Sequence, residues 1–250
     1  MEIIILGSGT GVPRLKRRAP GLIVEIENEP FLFDSGSGTC YQILRAGVNL
    51  KNINHIFYTH FIHPDHISDL PEILFASKYD LPVRGSNLNI TGPVGIRNFY
   101  QNIIRLFPIF EGLPFVVNIN EVMDDQIMLS KGFITTKPMN HYQVDCLGYR
   151  IEFEGKSVVY TGDTDYCDNV VELANGADLL ITECSFPDEL KIEGHLSPIK
   201  AGQIAVDAQV KRLLLTHLYP PCEDYNIKKQ TEKIYKGEVI IAEDLMRIEV

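Results

Sequence analysis

The chain is short of basic residues, of paired cysteines and of long apolar runs, and each shortage weighs against a class of function. Lys and Arg number 23 against 33 Asp and Glu, a net charge of −10. Broad, sequence-independent nucleic-acid binding depends on neutralising phosphates, so that balance argues against it. The one basic cluster, Arg14-Leu15-Lys16-Arg17-Arg18, reads either as a local basic patch or as a solvated loop. The five cysteines, Cys40, Cys146, Cys167, Cys184 and Cys222, are odd in number and show no C-x-x-C spacing. They read as reduced thiols rather than a disulfide framework. No stretch approaches the ~20 apolar residues of a membrane span, and residues 3–6 are too short for the apolar centre of a signal peptide. A cytoplasmic protein with no membrane partner is expected. Linkers and low-complexity segments are also missing, so residues 1–250 are read as one α/β domain. A composition of 45% apolar and 22% charged residues suffices for its core.

What the chain does have is Thr59-His60-Phe61-Ile62-His63-Pro64-Asp65-His66, which holds three of its seven histidines and an aspartate within eight residues. Neutral imidazole and carboxylate together suit a borderline cation such as Zn²⁺. The apolar run over residues 53–58 precedes it, and a strand ending in such a cluster delivers ligands to the rim of a sheet. A histidine-rich surface loop is the bland alternative. Four ligand residues this close, closing on an Asp-His pair, weigh against it.

The rest of the chain repeats that arrangement. Residues 3–6 form a buried strand that enters Gly7-Ser8-Gly9-Thr10-Gly11. Pro13 and Pro20 flank the charged segment after it, so no helix presents its N-terminus to a phosphate, which argues against a dinucleotide loop. The glycines instead let a loop pass close to the site. Strands are expected over 22–27 and 31–33, the second ending at Asp34, an acceptor suited to the back of a metal-bound imidazole. Ser37 or Thr39 would cap a helix over 41–46. After the cluster come a helix that Pro71 kinks or restarts, a strand ending at Gly92 and a helix over 94–107. Strands over 115–119, 127–129 and 133–137 come next, the last arriving at His141. A hairpin over 147–153 and 156–160 runs into Asp163, and a strand over 178–182 ends at Glu183. His195-Leu196-Ser197 leads into a helix over 198–208 with Pro198 in its first turn. A strand over 212–215 ends in Thr216-His217, and a helix near 227–236 with two short strands completes the chain. Asp34, His60, His141, Asp163, Glu183 and His217 therefore all lie at or just past a strand end. That recurrence points to one shared rim. The likeness of Ile56-Phe57-Tyr58-Thr59-His60 to Leu213-Leu214-Leu215-Thr216-His217 points to two related halves and a two-metal site.

These motifs, with Leu6-Gly7-Ser8-Gly9-Thr10-Gly11-Val12-Pro13, Phe33-Asp34-Ser35-Gly36-Ser37-Gly38-Thr39 and Tyr160-Thr161-Gly162-Asp163-Thr164, resemble the metallo-β-lactamase-fold hydrolases, most of all their ribonuclease Z branch. The resemblance covers nearly the whole chain. It implies a four-layer αββα sandwich with the metals at one edge of the two sheets. One metal would be held by His60, His63 and His141, the other by Asp65, His66 and His217, with Asp163 bridging them and Asp34 behind. Two divalent ions are implied, Zn²⁺ foremost and Mn²⁺ also compatible, as is a homodimer. Three departures stand out. The family's H-x-H-x-D-H is one residue longer here, and a bulge must absorb the extra residue if both His60 and His63 are to ligate. The family's His-Glu-Ala-Thr becomes Thr182-Glu183-Cys184-Ser185, leaving Glu183 to pair with His195 of His195-Leu196-Ser197. The long arm that many relatives use to grip tRNA is missing between His141 and Asp163.

The expected activity is phosphodiester hydrolysis by a hydroxide bridging two metals. Asp65 would orient the attack and accept a proton. His195, held by Glu183, would stabilise phosphoryl charge or protonate the leaving alkoxide, with Ser197 as a substrate-binding residue. A small phosphodiester, such as a cyclic nucleotide or nucleoside ester, ranks ahead of RNA in the form of tRNA 3′ ends, given the acidic charge and the missing arm. Other esters, thioesters and lactones fit the same fold. A non-catalytic metal-binding relative is the competing class.

Overall fold

β1 (Glu2–Gly7) sends Ile3 and Ile5 to one side and Ile4 and Leu6 to the other, and all four are buried. Strand side chains alternate between faces, so a run without polar residues requires cover on both sides. The computed structural model, which describes residues 1–250, supplies that cover twice over. β2 (Gly21–Ile26) and β3 (Glu29–Phe33) complete an antiparallel meander, followed by α1 (Thr39–Arg45), β4 (His55–Phe57), α2 (Leu70–Tyr79), β5 (Leu88–Gly92), α3 (Ile96–Leu106) and β6 (Val117–Glu121). The second half runs β7 (Gln126–Met128), β8 (Phe133–His141), β9 (Val144–Phe153), β10 (Lys156–Tyr160), α4 (Asp168–Ala174), β11 (Leu179–Glu183), α5 (Pro198–Asp207), β12 (Arg212–Thr216), α6 (Ile227–Thr231) and β13 (Glu238–Ile241). The last strand, β14 (Arg247–Glu249), returns to pair with β1.

Two seven-stranded sheets result, in the orders β14-β1-β2-β3-β4-β5-β6 and β13-β12-β11-β10-β9-β8-β7. Each has antiparallel pairings on one side and parallel pairings on the other, meeting at β3 in one sheet and β10 in its counterpart. Their inner faces share a core of 19 residues, including Ile3, Phe33, Tyr149, Tyr160 and Leu214. The outer faces pack on the helices, one cluster gathering residues of α1, α2 and α3 and the other those of α4, α5 and α6. The architecture is the expected αββα sandwich. The two halves do correspond, but the correspondence pairs β4 with β11 and β5 with β12. The similar leads into His60 and His217 thus sit on strands that are not counterparts, since apolar runs of one type suit any central parallel strand.

Several local expectations shift. α1 starts from Gly38, whose left-handed φ of 90° leaves no side-chain cap. Neither Ser37 nor Thr39 caps it, because Asp69 reaches across to accept the N–H groups of Gly38 (3.1 Å) and Cys40 (2.8 Å). Pro71 lies in the first turn of α2 and so starts that helix. β8 extends through His141, beyond the expected end at residue 137, because β9 pairs with it along its full length. α4 has no counterpart among the expected elements, although Val170, Leu173 and Ala174 give it a buried stripe. α6 stops at Thr231 instead of continuing to residue 236.

Beneath the rim, aromatic rings join the sheets. Phe33 stacks on Phe57 at 5.0 Å and meets Tyr149 (5.5 Å) and Tyr160 (6.4 Å) edge-on from the opposite sheet. The Tyr149 hydroxyl donates to the Tyr58 carbonyl at 2.6 Å. Phe33 is fully buried in this joint. Phe33→Ala is therefore expected to cost about 3–5 kcal/mol in denaturant unfolding. A loss below about 1 kcal/mol would show that the joint repacks and is not a fixed support.

Candidate metal centre

The ligand candidates reach one edge because each strand delivers its next residues there. After β4 the chain bends through Phe61, Ile62 and His63, then makes a single 3₁₀ turn over Pro64–His66. Phe61 turns outward against Phe99, 5.4 Å between ring centroids, and Ile62 is exposed. The additional residue is thus spent on an outward bend. His60 Nε2 and His63 Nδ1 still approach to 3.2 Å, and His141 Nε2 lies 3.2 Å from the same His63 nitrogen. On the other side His66 Nε2 and His217 Nε2 are 3.4 Å apart, with Asp65 Oδ2 3.5 Å from His217 Nε2. Asp163 stands between the two groups. Its Oδ1 is 3.3 Å from His66 and 3.5 Å from His217, and its Oδ2 is 3.8 Å from His141.

The outward-facing nitrogens settle what the inward ones carry. His66 Nδ1 donates to Asp34 Oδ2 (2.8 Å), His141 Nδ1 to the Gly194 carbonyl (2.9 Å) and His217 Nδ1 to Ser185 Oγ (2.9 Å). His60 Nδ1 faces Thr59 Oγ1 at 3.1 Å, a hydroxyl that itself donates to Asp34. In their neutral forms His66 and His217 then point lone pairs at each other across 3.4 Å, while His60 and His141 turn theirs toward His63 Nδ1. Asp163 Oδ1 is buried and makes no well-directed hydrogen bond, its nearest polar neighbours being the His66 and His217 rings. Converging lone pairs and such a carboxylate oxygen are costly alone and become favourable around cations. The donors fall into one group of His60, His63, His141 and Asp163 and another of Asp65, His66 and His217, which fits divalent ions, and their mixed imidazole and carboxylate chemistry does not choose between Zn²⁺ and Mn²⁺.

Asp34 supports the set from behind. It has a left-handed backbone, φ 56°, and accepts from the Thr59 N–H (2.8 Å), the His66 ring (2.8 Å) and the Tyr160 hydroxyl (2.8 Å). Burial opposes charge on His66, but Asp163 and Asp34 outweigh it and hold its pKa well above the ordinary histidine value. Burial likewise opposes an ionised Asp163, yet His217 and His66 keep it well below the usual carboxylate range. Burial, with His66 alongside, pushes His60 well below the ordinary histidine value.

Glu183 and His195 pair as expected, Nδ1 donating to Oε1 at 2.9 Å. Glu183 is fixed in turn by the Thr164 N–H (2.7 Å), the Leu196 N–H (3.1 Å) and the Ser185 hydroxyl (2.5 Å). Burial lowers the His195 pKa, but the Glu183 hydrogen bond and charge outweigh that and raise it. One ligand atom from each of His195, Asp163 and His217 falls within a 4.8 Å cluster. Ser197, expected to bind substrate, is only 3% exposed at the start of α5. It occupies the N-cap position without a side-chain hydrogen bond to the helix.

The glycine-rich loop after β1 does pass the site. The Gly11 N–H donates to Asp65 Oδ2 at 2.9 Å, and a Cβ on Gly11 would sit 3.2 Å from that of Asp65. The basic segment lines a cleft beside Asp65, together with Ser37 and Ser68. Within it Arg17 is tied to Ser8 Oγ (2.7 Å) and the Ala242 carbonyl (2.5 Å), whereas Arg14 and Arg18 are exposed. Ser185 and the tyrosines around His195, Tyr142 and Tyr219, do not stand out as site residues in the sequence. Ser185 carries one signal, standing two residues past Glu183. Tyr142, next to His141, carries one of the same kind.

A sandwich of two mixed sheets with a histidine–carboxylate centre at its edge defines a metal-dependent hydrolase of the metallo-β-lactamase fold. Residues 30–218 match the family model described as the beta-lactamase superfamily domain, and the chain belongs to that family. It is 28% identical to the ribonuclease Z of Methanothermobacter thermautotrophicus over an alignment of 303 positions, which takes in 100% of this chain and 97% of that protein. Since this chain has 250 residues, 303 positions leave about 50 in the relative without a counterpart here. Among solved structures, the metallo-beta-lactamase fold protein YhfI from Bacillus subtilis superposes with a TM-score of 0.86 at 27% identity, covering 100% of this chain and 98% of its own. The short form of human tRNase Z superposes at 0.81 with 26% identity, covering 100% and 99%. No helix is long and apolar enough to cross a membrane.

Metal binding is expected to respond to both substitution and pH. Asp34→Asn is expected to weaken it about 10–100-fold, read by competition with a chromophoric chelator. An unchanged affinity would mean that Asp34 does not hold His66 for the metal. Because the raised His66 must lose its proton to ligate, affinity in the wild type should climb as pH rises through neutrality, and a flat profile would contradict this.

Proposed function

We propose that residues 1–250 act as one hydrolase domain that cleaves phosphodiester bonds of the kind ribonuclease Z enzymes act on. The observation that carries this is the buried Asp163 carboxylate set between two groups of inward-facing donors, with the His195–Glu183 pair beside it. Both sheets supply ligands, which supports treating the chain as a single functional unit. In this reading His60, His63 and His141 hold one divalent ion, Asp65, His66 and His217 the other, and Asp163 both. Such a pair of ions supplies Lewis acidity and a nucleophile available at neutral pH.

The chain's own groups do the rest. Asp65, steadied by the Gly11 N–H, orients the attacking water and accepts its proton. Burial opposes its charge, but the His217 hydrogen bond and the neighbouring histidines keep it ionised far below the usual range. His195 has its Nδ1 engaged by Glu183, which leaves Nε2 to stabilise the phosphoryl oxygens or protonate the leaving oxygen. Arg14 and Arg18 give the cleft beside Asp65 a positive lining in an otherwise acidic protein.

The similarity to proteins named ribonuclease Z and tRNase Z supports an RNA substrate. A second reading, a nucleotide-sized phosphodiester, is favoured by the segment between His141 and Asp163. It consists of β9, a tight turn at Glu154-Gly155, and β10, with no arm to grip a folded RNA. Hydrolysis of a chromogenic phosphodiester and of precursor tRNA, each with Zn²⁺ or Mn²⁺, separates the two. His195→Ala is expected to lower kcat about 10²–10⁴-fold, and Asp65→Ala to abolish turnover with the fold retained. Two bound ions without turnover of either substrate would instead favour a non-catalytic metal-binding relative.

A further inference from the structure

We propose that the cleft on the His63 side of the centre, with the ring of Tyr142 as its wall, binds the base of a nucleoside phosphodiester. This deepens the phosphodiesterase reading and rests on it. Tyr142 comes directly after the ligand His141, in the turn between β8 and β9, with a left-handed φ of 50°. That conformation is unusual for a large aromatic residue and is held only where surroundings enforce it. Here the hairpin enforces it, since His141 pairs with Val144 and leaves Tyr142-Gln143 as a two-residue turn that uses a positive φ at its first position. One side of the ring lies on Gly194, where a Cβ would come within 2.6 Å of its carbons. Gly194 is also the residue whose carbonyl fixes His141. The ring stands edge-on to His141, at 5.4 Å and 61°, and to His195, at 6.1 Å and 80°. Yet Tyr142 remains 53% exposed, so a strained backbone holds an aromatic surface open immediately beside the candidate catalytic groups.

The rest of the cleft has the right chemistry for a base. About 620 Å³ in volume, it is lined by His63, Asn140, Tyr142, Gln143, Glu193 and Gly194. Amide and carboxylate side chains offer donors and acceptors for the edge of a base, while an aromatic ring offers a stacking face. No lysine or arginine lines it, in contrast to the cleft beside Asp65, where Arg14 and Arg18 lie. The two sides of the centre thus differ in kind. One suits phosphate, the other an uncharged planar ring. A substrate whose scissile phosphate lies at the metals would place its base against Tyr142.

The test uses the full-length, Zn²⁺-loaded protein and two ratios. The first is affinity for adenosine 5′-monophosphate over ribose 5-phosphate, by calorimetric titration. The second is kcat/KM for thymidine 5′-p-nitrophenyl phosphate over methyl p-nitrophenyl phosphate. Tyr142→Asn removes the ring and tolerates the left-handed backbone, so it keeps the turn; Tyr142→Phe keeps the ring. Base stacking of ordinary strength predicts that both ratios fall about tenfold in Tyr142→Asn and are retained in Tyr142→Phe. A wild-type protein with no preference for the nucleoside compounds, or a Tyr142→Asn variant that keeps the preference, overturns the proposal. If the wild type turns over both esters with equal kcat/KM, the base site fails and the phosphodiesterase reading stands. If it cleaves neither ester but still prefers the nucleotide in titration, and loses that preference in Tyr142→Asn, the base site stands and the hydrolase reading fails.

Discussion

The carboxylate of Asp34 is the point on which the two halves of this molecule meet. It lies wholly buried at the end of β3 and takes hydrogen bonds from the Thr59 backbone, the His66 ring and the Tyr160 hydroxyl. Those partners belong to the strand exit that carries the histidine cluster, to the cluster itself and to the opposite sheet. A buried charge without partners would be prohibitively costly, so the carboxylate holds all three in one arrangement. The aromatic joint of Phe33, Phe57 and Tyr149 directly beneath gives that arrangement a rigid base. Ligand orientation is thereby coupled to the packing of the sheets, and through it to the stability of the whole sandwich.

Neither sheet, as a consequence, holds a complete centre. The first carries the candidate ligands His60, His63, Asp65 and His66 on one excursion, and the second carries the candidates His141, Asp163 and His217 at the ends of three separate strands. A compact cluster on one side is closed by scattered residues on the other. The same division extends to the candidate acid–base group. Ser185 donates to Glu183 and accepts from His217, so one hydroxyl links the His195–Glu183 pair to a metal-ligand candidate. Polar groups that are buried and mutually satisfied in this way restrict one another's rotamers. The expected chemistry requires that restriction, since a misplaced donor or acceptor loses most of its effect.

The lengthened ligand motif shows how local tolerance and global constraint divide the work. His63 reaches the centre through Nδ1, while His60 and His141 use Nε2. Phe61, within the lengthened path, finds an apolar neighbour in Phe99 on α3. The extra residue therefore alters the outer surface of the loop and leaves the ligand positions converged.

Much of this is legible in the chain alone, for physical reasons. Backbone alternation makes a fully apolar strand such as residues 3–6 declare that both its faces are covered, and that already implies layers on both sides of a sheet. Ligand residues placed after such strands must emerge at a common rim, so Asp34, His60, His141, Asp163, Glu183 and His217 group together by their positions in the sequence. Other features depend on contacts between residues far apart in sequence, which no local pattern encodes. Asp69 displacing Ser37 and Thr39 as the cap of α1, the pairing that carries β8 through to His141, and the matching of β4 with β11 are of this kind. So are the burial of Ser197, the placing of Asp163 between the His66, His217 and His141 rings, and the ring of Tyr142 pressed onto Gly194. Residue type and spacing determined which side chains were available to the site and on which edge they would lie. Their distances, protonation partners and exposure were decided only when the two sheets packed, because those quantities belong to pairs of residues and not to the residues themselves.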